Sequence, residues 1–544
     1  VNGEQAKTGF MKHALTGLAA ALALGLAMTV AAQAENIRIG EINSYTGVAQ
    51  SSQAYRNGAD LAVAEINAGG GLLGRNLELI SRDDSGSPDE AVRHAEALIK
   101  TDRVDVLTGS MLSNVALAVA KTAASEKKLF VVGDALSDAI TLDKGNRYTF
   151  RLRPSTYTQA AMLAEAAAKL PGRRWAIVAP NYEYGQSAVA NFKLLLKERR
   201  PDIEFVAEQW PALGKMRAEV VVKALRQARP DAIFNAAFGS DLQQFAEEGS
   251  RQGLFAATTV FSMSAGPTLG DVLAQYEGTK NWVVLGYPSE QLATPEHQRF
   301  REAYLKRFND RPLLQAVFGY STVMSIAAGI KKAGSVDSEK LVTAMRGLGV
   351  ETPVGPITFR AHDQQSSMGA FVATLVCKDG RSNMTEWHYL DGARYMPDDN
   401  YIKGRRPASA FQPTMTASVS IGVVLPASAA AILKLSIKIQ FPFQLRVFPD
   451  SIGYRPRQVC MAACACIPDL GCMARSEGCL LKSVPAGCRR RSVAALCCGK
   501  AQRCRNSSLF LTSFHSSASA SGALVLVIEG QKRASCSLSL MNSC

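Results

Sequence analysis

Residues 37–84 constrain the fold of this chain more than any other stretch. They open with a short apolar run, Ile37-Arg38-Ile39-Gly40, and turn through Asn43-Ser44-Tyr45-Thr46-Gly47. Ala59, Ala62, Val63 and Ile66 then recur at the i, i+3, i+4, i+7 spacing of an amphipathic helix. Gly69-Gly70-Gly71 stops that helix, because glycine enters the left-handed conformation past a last turn without a side-chain clash. Leu77-Glu78-Leu79-Ile80 alternates as a strand and ends at Asp83-Asp84. Strand, helix and strand make a βαβ unit, whose parallel strands bring their carboxyl ends and the loops beyond them to one edge.

The chain repeats this unit in two halves. Ser87-Pro88-Asp89-Glu90 is a helix start, with a capping serine, a proline suited to the first turn and an acid that completes a capping box. Strands follow at 104–107 and 129–132, opening into the loops 109–113 and 133–137. Arg151-Leu152-Arg153-Pro154 reads as a crossing to the second half. There the strands are 175–179, 203–208, 231–235, 258–261 and 282–285, and Asn181-Tyr182-Glu183-Tyr184-Gly185 turns into a helix. Gly286-Tyr287-Pro288 is a second crossing. The expected architecture is an α/β fold of two doubly wound, Rossmann-like lobes joined by a multi-strand hinge. Residues 36–153 with 289–354 form lobe 1, and 154–288 with 355–404 form lobe 2.

The two ends differ from this body. Residues 405–544 carry 17 Lys and Arg against 4 Asp and Glu, nearly all of the formal net charge of +14. The body is neutral on balance, so the alkaline character of the whole is no nucleic-acid footprint. Cys377 is the one cysteine before residue 405, and the other eleven fall between Cys460 and Cys544 without paired C-x-x-C spacing. The tail, 405–544, is expected to be an unstructured read-through extension. Within residues 1–34, Met11-Lys12-His13 leads into an apolar run ending at Ala32-Gln33-Ala34, the pattern of a cleaved secretory signal peptide over 11–34. The mature protein is expected in the periplasm, beginning at Glu35.

Gly58-Ala59, Ala64-Glu65-Ile66-Asn67, Gly69-Gly70, Asp83-Asp84 and Pro88 form an ordered set of landmarks, which Tyr184-Gly185, Gly355-Pro356-Ile357 and Met368-Gly369 extend. On these residues the chain resembles the periplasmic solute-binding proteins of ABC importers, in the branched-chain amino-acid group, over roughly 36–404. The resemblance implies capture of a small solute (an organic acid, amide or amino acid) and its delivery to a permease driven by a cytoplasmic ATPase. It implies no cofactor, no metal and no catalytic residue. Among such proteins a serine after the third strand holds the ligand carboxylate, and Ser113 matches it. The next loop supplies a carbonyl, an amide and a hydroxyl, matched by Ala135, Leu136 and Ser137. Tyr184 and Phe238 match aromatic residues of the opposite lobe.

Two departures bear on the solute. The position where amino-acid-binding relatives carry a glutamate for the α-ammonium is matched by Ser264. A buried ammonium without a carboxylate partner is costly, so an acid lacking the amine, or an amide, fits better than a plain α-amino acid. The positions of the group's early disulfide correspond to Gly86 and Leu112. The rival readings are a ligand-sensing regulator of the same fold and a dehydrogenase-like enzyme. The second is disfavoured because residues 40–47 lack the G-x-G-x-x-G spacing that lets a backbone approach a pyrophosphate.

Overall fold

The computed structural model describes residues 35–264, 269–275, 282–378 and 381–410, and four strands beyond residue 413. The first lobe begins with β1 (Ile37–Asn43), α1 (Ala49–Ala68), β2 (Leu77–Asp83), α2 (Pro88–Lys100), β3 (Val106–Gly109), α3 (Ser113–Ser125), β4 (Phe130–Val132) and β5 (Thr149–Arg151). Its strands make one parallel sheet in the order β2-β1-β3-β4-β5. Direction of winding reverses between β1 and β3, and that switch point opens a crevice at the carboxyl edge. Alternation along the strands covers both faces: Ile37, Ile39, Val131 and Phe150 face one core, Ile42, Phe130 and Val132 the other. Ser87 caps α2 by accepting the Glu90 amide at 3.4 Å, with Pro88 as the first helical residue.

The second lobe runs through α4 (Thr156–Ala167), β6 (Arg174–Val178), α5 (Glu183–Arg199), β7 (Glu204–Gln209), α6 (Ala218–Ala228), β8 (Ala232–Asn235), α7 (Gly239–Arg251), β9 (Thr259–Ser262), α8 (Leu269–Ala274) and β10 (Trp282–Gly286). The chain then returns as α9 (Pro295–Phe308), α10 (Leu314–Ala333), α11 (Ser338–Met345) and the hairpin β11 (Gly349–Thr352) and β12 (Gly355–Thr358). It ends in β13 (Ala370–Lys378), β14 (Arg381–Leu390) and α12 (Asp399–Arg405). The second sheet has the order β14-β13-β10-β9-β8-β6-β7, with β13 antiparallel to both β10 and β14 and the other pairs parallel. Trp175, Phe192, Phe234 and Phe261 fill its core, Phe192 stacked on Phe234 at 4.0 Å.

Three details differ from the sequence reading. Thr149, Phe150 and Arg151 form a strand, β5, before the first crossing; three residues are too few to show a periodic pattern. The second boundary lies later than residue 354, because Ile357, Phe359 and Met368 pack into the first lobe's core beneath α10. The body also extends past residue 404. Arg405 pairs with Asp138 and Asp143, and the buried Arg406 donates to the Thr141 and Asp363 carbonyls, so the chain is tied down through Ala410.

The segment around Gln365 and Ser366, between β12 and β13, lies beside the first crossing. The Ser366 amide donates to the Arg151 carbonyl at 2.9 Å, the Ser366 hydroxyl to the Leu152 carbonyl, and the Gln365 amide group to the Arg153 carbonyl at 2.9 Å. In the tail, β15 (Thr416–Val423), β16 (Leu433–Gln440), β17 (Leu524–Glu529) and β18 (Cys536–Ser537) form an antiparallel sheet in the order β16-β15-β17-β18. The signal peptide expected at 11–34 and the cysteines from Cys460 to Cys504 lie outside the described residues.

Candidate functional site

The carboxyl edge of the first sheet is a set of tightly bonded loops. Ser110 follows β3 with φ of 65°, its amide on the Ile42 carbonyl at 2.7 Å, and its own carbonyl accepts the Ala135 amide at 2.9 Å. Ser113 opens α3 and is 1% exposed. Its Oγ accepts the amides of Leu136 at 3.3 Å and Ser137 at 3.1 Å, which leaves the hydroxyl proton to donate elsewhere. Behind this loop the buried Arg151 donates to the Leu136 and Ser137 carbonyls and, at 3.1 Å, to Thr141 Oγ1. Ser113, Ala135, Leu136 and Ser137 are thus brought together and held from both sides.

The second lobe meets this loop with rings. Tyr182 and Phe238 sit at the N-terminal caps of α5 and α7, and Tyr184 lies in the first turn of α5. Tyr184 and Phe238 meet edge to face at 5.8 Å, and Tyr182 lies 6.0 Å from Tyr184. Tyr182 and Phe238 pack against the first lobe's cluster of Leu112, Val132 and Ala135, while Leu136 packs with Tyr184 in the second lobe's cluster. The Ser137 hydroxyl donates to Glu183 Oε1 at 2.6 Å, a direct bond between lobes. Beside it a polar cavity of about 160 Å³ is lined by Ser137, Asp138, Glu183, Ser187, Asn191 and Arg405. Ser264 shares the second lobe's edge by position, two residues beyond β9, with its carbonyl accepting the Ser262 hydroxyl at 2.6 Å.

The sequence reading passed over two charged residues on this edge. Val132 of β4 pairs with Arg151 of β5, so residues two beyond each strand, Asp134 and Arg153, emerge side by side. They form an ion pair through Arg153 Nη1 and Asp134 Oδ1, with Asp134 1% exposed. The Arg153 guanidinium stands 4.7 Å over the Phe318 ring of α10. Burial pushes the Asp134 carboxyl up while Arg153 opposes it. Burial also pushes the Tyr184 hydroxyl up, with Arg153 opposing and Asp134 adding to the shift, so the pair lies within electrostatic reach of that ring. Recognising β5 as a strand is the signal that finds them. The Gly86 and Leu112 positions are also neighbours: a Cβ built on Gly86 would meet Leu112 Cδ1 at 3.5 Å.

Residues 36–381 match the family model described as periplasmic binding protein. The chain is 24% identical to a leucine-, isoleucine-, valine-, threonine- and alanine-binding protein of Pseudomonas aeruginosa, over 69% of this chain and 96% of that one. It is 28% identical to a Leu/Ile/Val-binding protein of Rhizobium johnstonii, over 63% and 93%. Among solved structures it resembles a solute-binding protein of an ABC transporter from Rhodopseudomonas palustris in complex with 3,4-dihydroxybenzoic acid. That likeness has a TM-score of 0.59 at 25% identity and covers 67% of this chain and 99% of the other.

Proposed function

Because the chain belongs to the periplasmic binding protein family, we propose that it is the solute-capturing component of an ABC importer, which holds one small carboxylate, amide or amino-acid-like molecule between its lobes and presents it to a permease. The observation that carries this reading is the meeting of two unlike surfaces. One is a rigid polar loop, Ser113 with 135–137, and the other an aromatic cap, Tyr184 with Phe238. Hydroxyls and amides at helix starts receive an anionic group, and rings cover an apolar body. The reading requires no chemistry on the solute. A signal peptide over 11–34 fits secretion to the compartment where the family works. A permease and ATPase partner follows from the family and is preferred to a purely sensory role by the transport proteins it resembles.

The test is a thermal-shift screen of the purified chain with amino acids, aromatic acids, aliphatic acids and amides. At least one solute is expected to raise the melting temperature saturably, since a ligand of the folded state alone stabilises it by mass action. Ser113→Ala is expected to weaken that solute's binding by about 1–3 kcal/mol, because Ser113 carries both loop amides as well as a donor to the solute. A flat screen across all four classes contradicts the reading.

A further inference from the structure

Asp138 follows the loop 135–137 and is buried, and among the described residues every donor to its carboxylate comes from the second lobe or from α12. Its Oδ1 accepts the Thr156 hydroxyl at 2.8 Å and the Tyr157 amide at 2.9 Å, both at the start of α4. Its Oδ2 accepts Asn191 Nδ2 of α5 at 2.7 Å and Arg405 Nη1 of α12 at 3.3 Å. The Asp138 amide is shared between Thr156 Oγ1 at 3.2 Å and Ser187 Oγ at 3.4 Å. A carboxylate buried without such donors is costly, so its place fixes theirs. Arg405 arrives from a third direction. The Tyr401 ring of α12 rests 4.9 Å from the Tyr157 ring of α4, its hydroxyl accepts Arg405 Nη1 at 2.6 Å, and Arg405 Nε donates to Asp143 Oδ1 at 3.1 Å. The seam is polar: Asp138, Glu183, Ser187, Asn191 and Arg405 surround the cavity of about 160 Å³. Water takes over such bonds when the two faces part, so the contact is reversible in a way that an apolar seam is not.

Resting on the solute-binding reading above, we infer that Asp138 is a positioning residue: it latches the loop 135–137 to α5 of the second lobe, with Arg405 of the C-terminal α12 as its counter-charge, so that the chain populates the shut arrangement before a solute arrives. Latch and candidate solute loop share consecutive residues, since Ser137 places its amide on Ser113 and its hydroxyl on Glu183. Apparent affinity rises with the fraction of chains already shut, so bonds within the protein supply part of what the solute would otherwise have to. The two carboxylate oxygens divide the work. Oδ1 caps the start of α4, a bracing role that any acceptor fills. Oδ2 reaches across to α5 and α12, and only a charged acceptor there balances Arg405. Asp138→Asn separates the roles, because an asparagine keeps the Oδ1 acceptor and turns an N–H toward Asn191 and Arg405. Arg405→Gln attacks the latch from the other side, leaving Asp138, Asp143 and Glu183 around the cavity without the cation among its lining residues.

The experiment is small-angle X-ray scattering of the full chain without solute, comparing the native protein with Asp138→Asn, Arg405→Gln and the exchanged pair Asp138→Asn/Asn191→Asp. Each single variant is expected to have a larger radius of gyration than the native chain. The exchanged pair puts the acceptor on α5 and the donor on the loop, and is expected to return toward the native radius. With a solute found in the thermal screen, Asp138→Asn is expected to release it about tenfold faster or more, the scale of a lost charged hydrogen bond, with association no slower. A lower melting temperature with unchanged radius and unchanged release assigns the carboxylate to bracing α4 alone and overturns the inference. So does an exchanged pair no nearer the native radius than Asp138→Asn. A flat thermal screen rejects the solute-binding reading instead, and the solute-free scattering still decides the latch.

Discussion

Glu41 shows how a single residue can set the pH response of this fold. It sits within β1, 0% exposed, with Oε2 accepting the Tyr45 hydroxyl at 2.6 Å and Oε1 unpartnered. Burial pushes its carboxyl from 4.5 up to about 7, against the Tyr45 bond. The folded state therefore keeps a proton that the unfolded chain releases near the ordinary value. The stability this contributes is complete below pH 4.5 and is lost as pH rises through 7. Glu41→Gln is expected to remove that dependence, so that the variant gains about 3 kcal/mol relative to the native chain between pH 4 and pH 8. Urea unfolding at the two pH values measures it, and parallel pH profiles for both proteins contradict it. Residues of this kind were invisible in the sequence, where nothing around Glu41, Asp134 or Arg153 signals burial. Their roles depend on what a neighbouring strand covers, which no local pattern records.

At the scale of elements, α1 and α10 approach each other backbone to backbone in the first lobe. A Cβ on Gly58 stands 1.9 Å from the Ala316 carbonyl oxygen, and one on Gly319 stands 1.9 Å from the Tyr55 carbonyl oxygen. The helices therefore cross backbone to backbone at two glycines, and the Gly58 landmark of the sequence acquires a physical reason. Gly58→Ala and Gly319→Ala are each expected to cost about 1–3 kcal/mol or more by forcing the helices apart. Gly404→Ala, in α12 with nothing within 4 Å, is expected to be neutral or to stabilise by up to about 1 kcal/mol. Denaturant midpoints for the three variants decide it, and equal midpoints contradict the packing account. Elements were mostly legible in advance because their periodicity is strong: α2 begins at the Ser87-Pro88 signal, and both doubly wound sheets follow from repeated βαβ units. The exceptions share a cause. β5 is too short to carry a pattern, and the β11–β12 hairpin is assigned to a lobe by the surface of α10 that it covers.

The whole body consists of two lobes connected by crossing segments, with Arg151 of the first crossing bonded to Gln365 of the segment beside it. The lobes also touch away from the hinge, through Ser137 and Glu183 and through Tyr182 and Phe238 against the Leu112 cluster. Asp138 adds further bonds, accepting from Thr156 and Asn191 and donating its amide to Ser187, and a solute that bonds to both faces shifts the balance further toward the shut arrangement. The division into lobes was legible because each half repeats the same unit. Of the candidate site, family landmarks reach Ser113, 135–137, Tyr184 and Phe238, whereas the Asp134–Arg153 pair on the same sheet edge emerged from strand register. The most direct measurement is small-angle X-ray scattering of the full chain, with and without the solute that gives the largest thermal shift. The account predicts a smaller radius of gyration at saturation, reached at one solute per chain. An unchanged scattering curve at proven stoichiometric binding would contradict it.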